Sequence, residues 1–78
     1  MLDQFQPVLG TQTVVVDNTP FTLTQTVEGE PWNIVRDGTL LGQLYREDDY
    51  HWGVWPMLDG CTLVKQALTP GDALRQAL

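Results

Sequence analysis

The sequence predicts an α+β, mainly β fold: a small antiparallel β-meander of four to five strands with one short C-terminal α-helix packed on the sheet. Three observations predict it. Runs rich in β-branched, aromatic or aliphatic residues recur at 11–16, 21–27, 32–36, 39–45 and 50–56, and such runs, bounded by turn residues, fit pleated strands. Asp37-Gly38 sits between two of these runs and closes a hairpin. Thr69-Pro70-Gly71-Asp72 combines an N-cap residue, a proline for the first helical position and an acid three residues after the cap, which together start a helix.

Taken in order, residues 1–10 place Leu2, Phe5, Val8 and Leu9 around Pro7 and Gly10, a spacing that suits a short helical turn or an irregular arm docked on the domain, not a long regular element. Thr11, Thr13 and three consecutive valines then favour a strand, because β-branched side chains are stiff and fit a pleated surface. Asp17-Asn18-Thr19-Pro20 reverses the chain. Over 21–27, Phe21, Leu23 and Val27 fall on one side and three threonines on the other, the period of a half-buried strand. Glu28-Gly29-Glu30-Pro31 ends it, and Pro31 suits a strand start.

The stretch 32–56 holds all three tryptophans, both tyrosines and the single histidine. A two-residue type I′ loop at Asp37-Gly38 needs positive φ at both positions. It sets Arg36 opposite Thr39, Val35 opposite Leu40, Ile34 opposite Leu41, Asn33 opposite Gly42 and Trp32 opposite Gln43. A four-residue loop over 46–49 sets Tyr45 opposite Tyr50, Leu44 opposite His51 and Gly42 opposite Gly53. In that register the core face carries Trp32, Ile34, Leu41, Tyr45, Tyr50, Trp52 and Val54. The other face carries Val35, Leu40, Leu44, His51 and Trp55 around a shallow trough at Gly42 and Gly53. After the Asp59-Gly60 turn, 61–68 suits a short strand or a helical turn, since Leu63 and Ala67, like Val64 and Leu68, are four apart. The helix runs from Pro70 with Ala73, Leu74, Ala77 and Leu78 as its apolar stripe.

One small domain spans 1–78, divided into the arm (1–10), the meander (11–56), a connector or short strand (57–68) and the helix (69–78). A chain of this size buries only about 60% of the surface its unfolded form exposes, so oligomerisation is a common source of extra stability. Ten carboxylates against four Lys and Arg give a net charge of −6. This balance disfavours direct nucleic-acid binding, which rests on Lys and Arg neutralising phosphates, and disfavours anionic membrane surfaces for the same reason. No apolar run reaches the roughly 20 residues that span a bilayer, and the first residues show no basic-then-apolar leader pattern. The expected location is cytoplasmic.

The chemistry available is sparse. One histidine, one cysteine and no serine leave no serine nucleophile and too few Cys and His for a zinc site. His51 and Cys61 make a thiol–imidazole pair only if the fold joins them; the plainer reading is a hydrogen-bonded packing histidine and a small buried thiol. Glu47-Asp48-Asp49, with Glu28 and Glu30, offers oxygen ligands for a hard cation, but EF-hand spacing is absent and a charged hairpin tip is ordinarily solvated. No glycine-rich phosphate loop precedes a helix. The expectation is therefore a non-catalytic binding or assembly module, with no cofactor or metal, that acts through a sheet face or a sheet edge and whose partner is a protein and chiefly a second copy of the chain. The expected interaction surface is Leu40, Gly42, Leu44, His51, Gly53 and Trp55. An alternative is an acidic inhibitor or decoy that occupies a basic surface on a nucleic-acid-handling partner.

Overall fold

The computed structural model describes residues 5–78; Leu2, assigned above to the arm, lies outside them. Six strands follow in order, β1 (Gly10–Val16), β2 (Thr19–Gln25), β3 (Trp32–Arg36), β4 (Thr39–Arg46), β5 (Trp52–Pro56) and β6 (Val64–Ala67), before helix α1 (Pro70–Ala77). They form one antiparallel sheet in sequential order. The α+β meander with a C-terminal helix is thus the observed fold, one strand larger than the sequence suggests. The added strand is β6. Val64 and Ala67 face Val54 and Trp52 across the ladder and are buried there, which outweighs the helical spacing of 61–68. The odd separation is absorbed by Gln66, whose φ of 62° marks a left-handed kink in the strand.

Both tight hairpins are two-residue turns with positive φ at each centre, Asp17-Asn18 (51° and 63°) and Asp37-Gly38 (51° and 76°). The first is shorter than the four-residue reversal expected from Thr19-Pro20. Pro20 instead joins β2 opposite Val15, at a pair that exchanges no hydrogen bonds, so its missing N–H costs the ladder nothing. β2 also ends earlier than expected, at Gln25. Val27 lies in the following loop and is exposed, while the buried Gln25 amide donates to the Glu30 carbonyl at 2.6 Å and shapes that loop from beneath.

Two register changes redistribute the aromatic stretch. Arg36 and Val35 face Thr39 and Leu40 as expected, but a bulge at Leu41 then moves Ile34 opposite Gly42, Asn33 opposite Gln43 and Trp32 opposite Leu44. The next loop occupies 47–51, so Arg46 faces Trp52, Tyr45 faces Gly53 and Leu44 faces Val54, a slip of three from the expected pairing. Because strand side chains alternate, an odd slip exchanges faces. Leu44 consequently enters the core with no exposure, Tyr50 leaves it at 77% exposed, and Tyr45 is half-buried on the opposite face.

The core is built from Val14, Phe21, Leu23, Ile34, Leu44, Trp52 and Val54 with Ala73 and Leu74 of α1. The helix touches β1, β4, β5 and β6, so the sheet wraps around it. Thr69 caps it by accepting the Asp72 N–H at 3.0 Å. The Arg75 guanidinium reaches both Asp72 at 2.6 Å and Asp17 at 3.3 Å, tying the helix to the β1–β2 turn. At the other end of the same face the arm is held by side chains: Gln12 accepts from Val8 N and donates to the Gln6 carbonyl, and the Trp32 indole donates to the Val8 carbonyl at 2.9 Å.

Candidate functional site

The face turned away from the helix is set by the observed pairing. Thr24, Asn33, Gln43 and Trp55 lie in one row across β2 to β5, and Thr22, Val35 and Leu40 in the next. Gln43 donates to the Asn33 side chain at 3.1 Å, so the middle of this face is polar and self-satisfied. Its β4–β5 end is not. Trp55 is 58% exposed and Leu40 39%. The Met57 N–H continues the β4–β5 ladder by donating to the Leu41 carbonyl at 3.0 Å, and the Val54–Val64 pairing brings Leu63 alongside Trp55. Met57, Leu58 and Leu63 are about half exposed. A cluster of large apolar side chains therefore meets water around Trp55, larger in kind than the isolated apolar residues that any surface carries.

Of the six residues expected to form an interaction surface, the structure keeps Leu40 and Trp55 on this outward face and separates the others. Leu44 is in the core. Gly42 faces Pro56 instead of Gly53 and points to the helix side, where a Cβ would stand 3.2 Å from Cys61 Sγ and 2.6 Å from the Trp55 carbonyl oxygen. Gly53 is outward but covered by the Tyr45 ring, 2.5 Å from the position of a Cβ. The glycine trough does not exist: its two members occupy opposite faces, and each is filled by a neighbour. His51 sits in the 47–51 loop with Nδ1 2.9 Å from both carboxylate oxygens of Asp48. Met57, Leu58 and Leu63 were missed because they lie in or beside turns, where the register of β5 and β6, and no local pattern, assigns them a face.

The structure separates the two groups considered as a thiol–imidazole pair. His51 precedes the start of β5, whereas Cys61 packs over Gly42 beside Pro56 at its far end, so the two groups do not meet. Burial pushes the Cys61 thiol up from its ordinary value, away from the thiolate a nucleophile needs. Among the described residues no three of His, Cys, Asp and Glu converge as metal ligands. The acidic loop has structural work instead. Glu47 accepts the Gln66 N–H at 2.9 Å and the Tyr45 hydroxyl at 3.4 Å. Desolvation, then the Glu47 charge and this hydrogen bond, raise the Tyr45 pKa. Asp48 accepts the Tyr50 N–H at 2.7 Å; that bond, followed by the one from His51, lowers its pKa.

A concavity of about 520 Å³ opens between the arm and the β2–β3 loop, with Pro7, Glu28, Glu30, Trp32 and Arg46 on its walls. Arg46 lies over the Trp52 ring at 5.6 Å, and Trp52 in turn tilts against Trp32 at 5.9 Å. Among the described residues the carboxylates are spread over turns, loops and the helix, with Asp17 in the β1–β2 turn, Asp72 in the first turn of α1, Glu28 and Glu30 after β2, Asp37 in the β3–β4 turn, 47–49 after β4 and Asp59 after β5, and no strand face collects them. No helix among the described residues is long and apolar enough to cross a membrane. Comparison with known proteins finds no family profile, no curated protein and no solved structure that matches this chain.

Proposed function

We propose that this chain is a non-catalytic association module whose partner is a second copy of itself, docked through the outward face at the β4–β5 end. The observation that carries this reading is the exposed apolar side chain of Trp55, 58% exposed, with Leu40 on the same face and Met57, Leu58 and Leu63 about half exposed in the adjoining chain. Its rim favours a homotypic partner. Asp59 follows Leu58 and Lys65 lies two residues past Leu63, with opposite charges, and no ion pair engages either of them among the described residues. A two-fold interface presents each patch to its own copy, so the Lys65 of one chain can meet the Asp59 of the other around a tryptophan-centred core. Exposed tryptophans in apolar surroundings are frequent energetic centres of interfaces.

Light scattering or sedimentation across a concentration series tests this. The wild-type chain should move from monomer to a larger species, and Trp55→Ala should weaken that association by about tenfold or more while leaving the near-ultraviolet signature of the buried Trp52 intact. A wild type that stays monomeric at millimolar concentration, or a Trp55→Ala chain that associates as before, overturns the proposal.

A further inference from the structure

The sheet has two edges, and they differ. β6 is four residues long, carries Lys65 and kinks at Gln66, whose N–H is already taken by the Glu47 carboxylate. Just before it, the Thr62 N–H is bound by the Ala77 carbonyl of the helix. These are the features by which proteins blunt an edge against pairing: shortness, a lysine, a kink and a covering element. Among the described residues, β1 has none of them. It runs seven residues, Gly10–Val16, pairs with β2 without a register break, and contains no proline and no ionisable side chain.

The hairpin geometry specifies which backbone groups β1 leaves open. In a two-residue hairpin the residues flanking the turn exchange hydrogen bonds, and bonded and non-bonded pairs then alternate. Val16 and Thr19 flank the turn, so Val16, Val14, Gln12 and Gly10 direct their N–H and C=O groups to β2. Thr11, Thr13 and Val15 direct theirs to the free side. The side chains of the same three residues lie on the outward face and are exposed, Val15 at 55%. Among the described residues, 5–9 of the arm do not take those groups: the hydrogen bonds that hold them come from the side chains of Gln12 and Trp32, on the helix side of the sheet.

We infer that β1 is a strand-pairing edge whose occupant is the β1 of a second copy, added antiparallel about a two-fold axis at Thr13. In that arrangement Thr11 faces Val15 of the other chain and Thr13 faces its counterpart, so all three open N–H and C=O pairs are satisfied at once by about six hydrogen bonds. A second copy fits because the strand is neutral along its whole length in a chain of net charge −6, so the joined edges carry no like charges. Asp17 at the end of the strand is already bound to Arg75. The inference goes beyond the docking face around Trp55, since it uses none of those residues. Where both contacts form, each chain has two distinct two-fold interfaces, and the assembly extends past a dimer.

Amide hydrogen exchange on the full chain at about 10 μM and about 1 mM tests the edge, because exchange protection reports backbone hydrogen bonding residue by residue. The Gln12, Val14 and Val16 amides should be protected at both concentrations. The Thr11, Thr13 and Val15 amides should exchange fast when dilute and slow by tenfold or more when concentrated, an alternate-residue pattern that docking through the Trp55 face does not produce. Thr13→Pro, which removes an open N–H, and Thr13→Lys, which places a charge on the axis, should both abolish that slowing; the second variant keeps the test available if the first does not fold. Trp55→Ala should leave the alternating protection in place and only reduce the size of the assembly. Unchanged fast exchange of the three amides in the concentrated wild type, or retained slowing in Thr13→Lys, overturns the inference, whichever way the Trp55 experiment falls.

Discussion

A methyl group added at Gly53 would stand 2.5 Å from Tyr45 Cζ and 2.8 Å from the Val64 carbonyl oxygen. The tyrosine ring can swing away, but the carbonyl belongs to the adjoining strand β6 and cannot. Gly53→Ala should therefore cost about 1–3 kcal/mol, the usual range for overpacking, seen as a lower urea midpoint with an unchanged slope. Asp48 gives a pH-dependent counterpart. Its folded pKa is lowered by the Tyr50 N–H and by His51, so its contribution to stability is present above the unfolded carboxylate pKa and is lost as pH falls through the folded one. Acidification below about pH 4, the ordinary aspartate range, should loosen the 47–51 loop before the sheet melts. The Tyr50 amide resonance, followed by NMR, should report that step, and Asp48→Asn should remove it.

Elements differ in how locally they are determined. α1 is specified by its own residues: Thr69 accepts the Asp72 N–H, Pro70 opens the first turn, and Ala73, Leu74 and Ala77 are buried. Thr69→Ala should cost about 1 kcal/mol, as for other N-caps, measurable as a lower thermal midpoint. The Asp37-Gly38 and Asp17-Asn18 turns are equally local, because their backbone angles demand residues that tolerate positive φ. β6 is not local. Its residues spell a helical turn as readily as a strand, and it is a strand because Val64 and Ala67 fill the space opposite Val54 and Trp52. The kink at Gln66 is then held from another element by Glu47, a contact 19 positions away in sequence that no pattern within β6 announces.

At the scale of the whole molecule, a net charge of −6 opposes the meeting of two copies, while the surfaces proposed for contact are apolar or neutral except for the Lys65–Asp59 rim, whose solvent-exposed pairs contribute little. Screening removes the first term and leaves the second. Self-association should therefore strengthen as salt rises from about 0.05 M to 1 M, where the screening length falls to roughly 3 Å. Capture of a basic partner should weaken over the same range, so sedimentation at several salt concentrations separates the two readings. Association of the chain with itself that weakens with salt would leave the apolar face without a role.

The meander, its Asp37-Gly38 hairpin, a reversal near Asp17, five of its strands and its capped helix are legible in the residues alone, because each of these follows from backbone preferences and side-chain periods within a few residues. The sequence also placed Trp55 and Leu40 together on one face. The tertiary structure alone decided what surrounds them. A bulge at Leu41 and a loop one residue longer than expected shift the pairing of β4 with its neighbours by odd numbers, and each odd shift turns a strand's side chains over. Those shifts are selected by burial: Leu44 completes a core with Leu23, Ile34, Val54 and Leu74, and the tyrosines, with hydroxyls to hydrate or bond, give way to it. The candidate surface is what remains once that competition is resolved, which is why Met57, Leu58 and Leu63 belong to it and Gly42, Leu44, His51 and Gly53 do not.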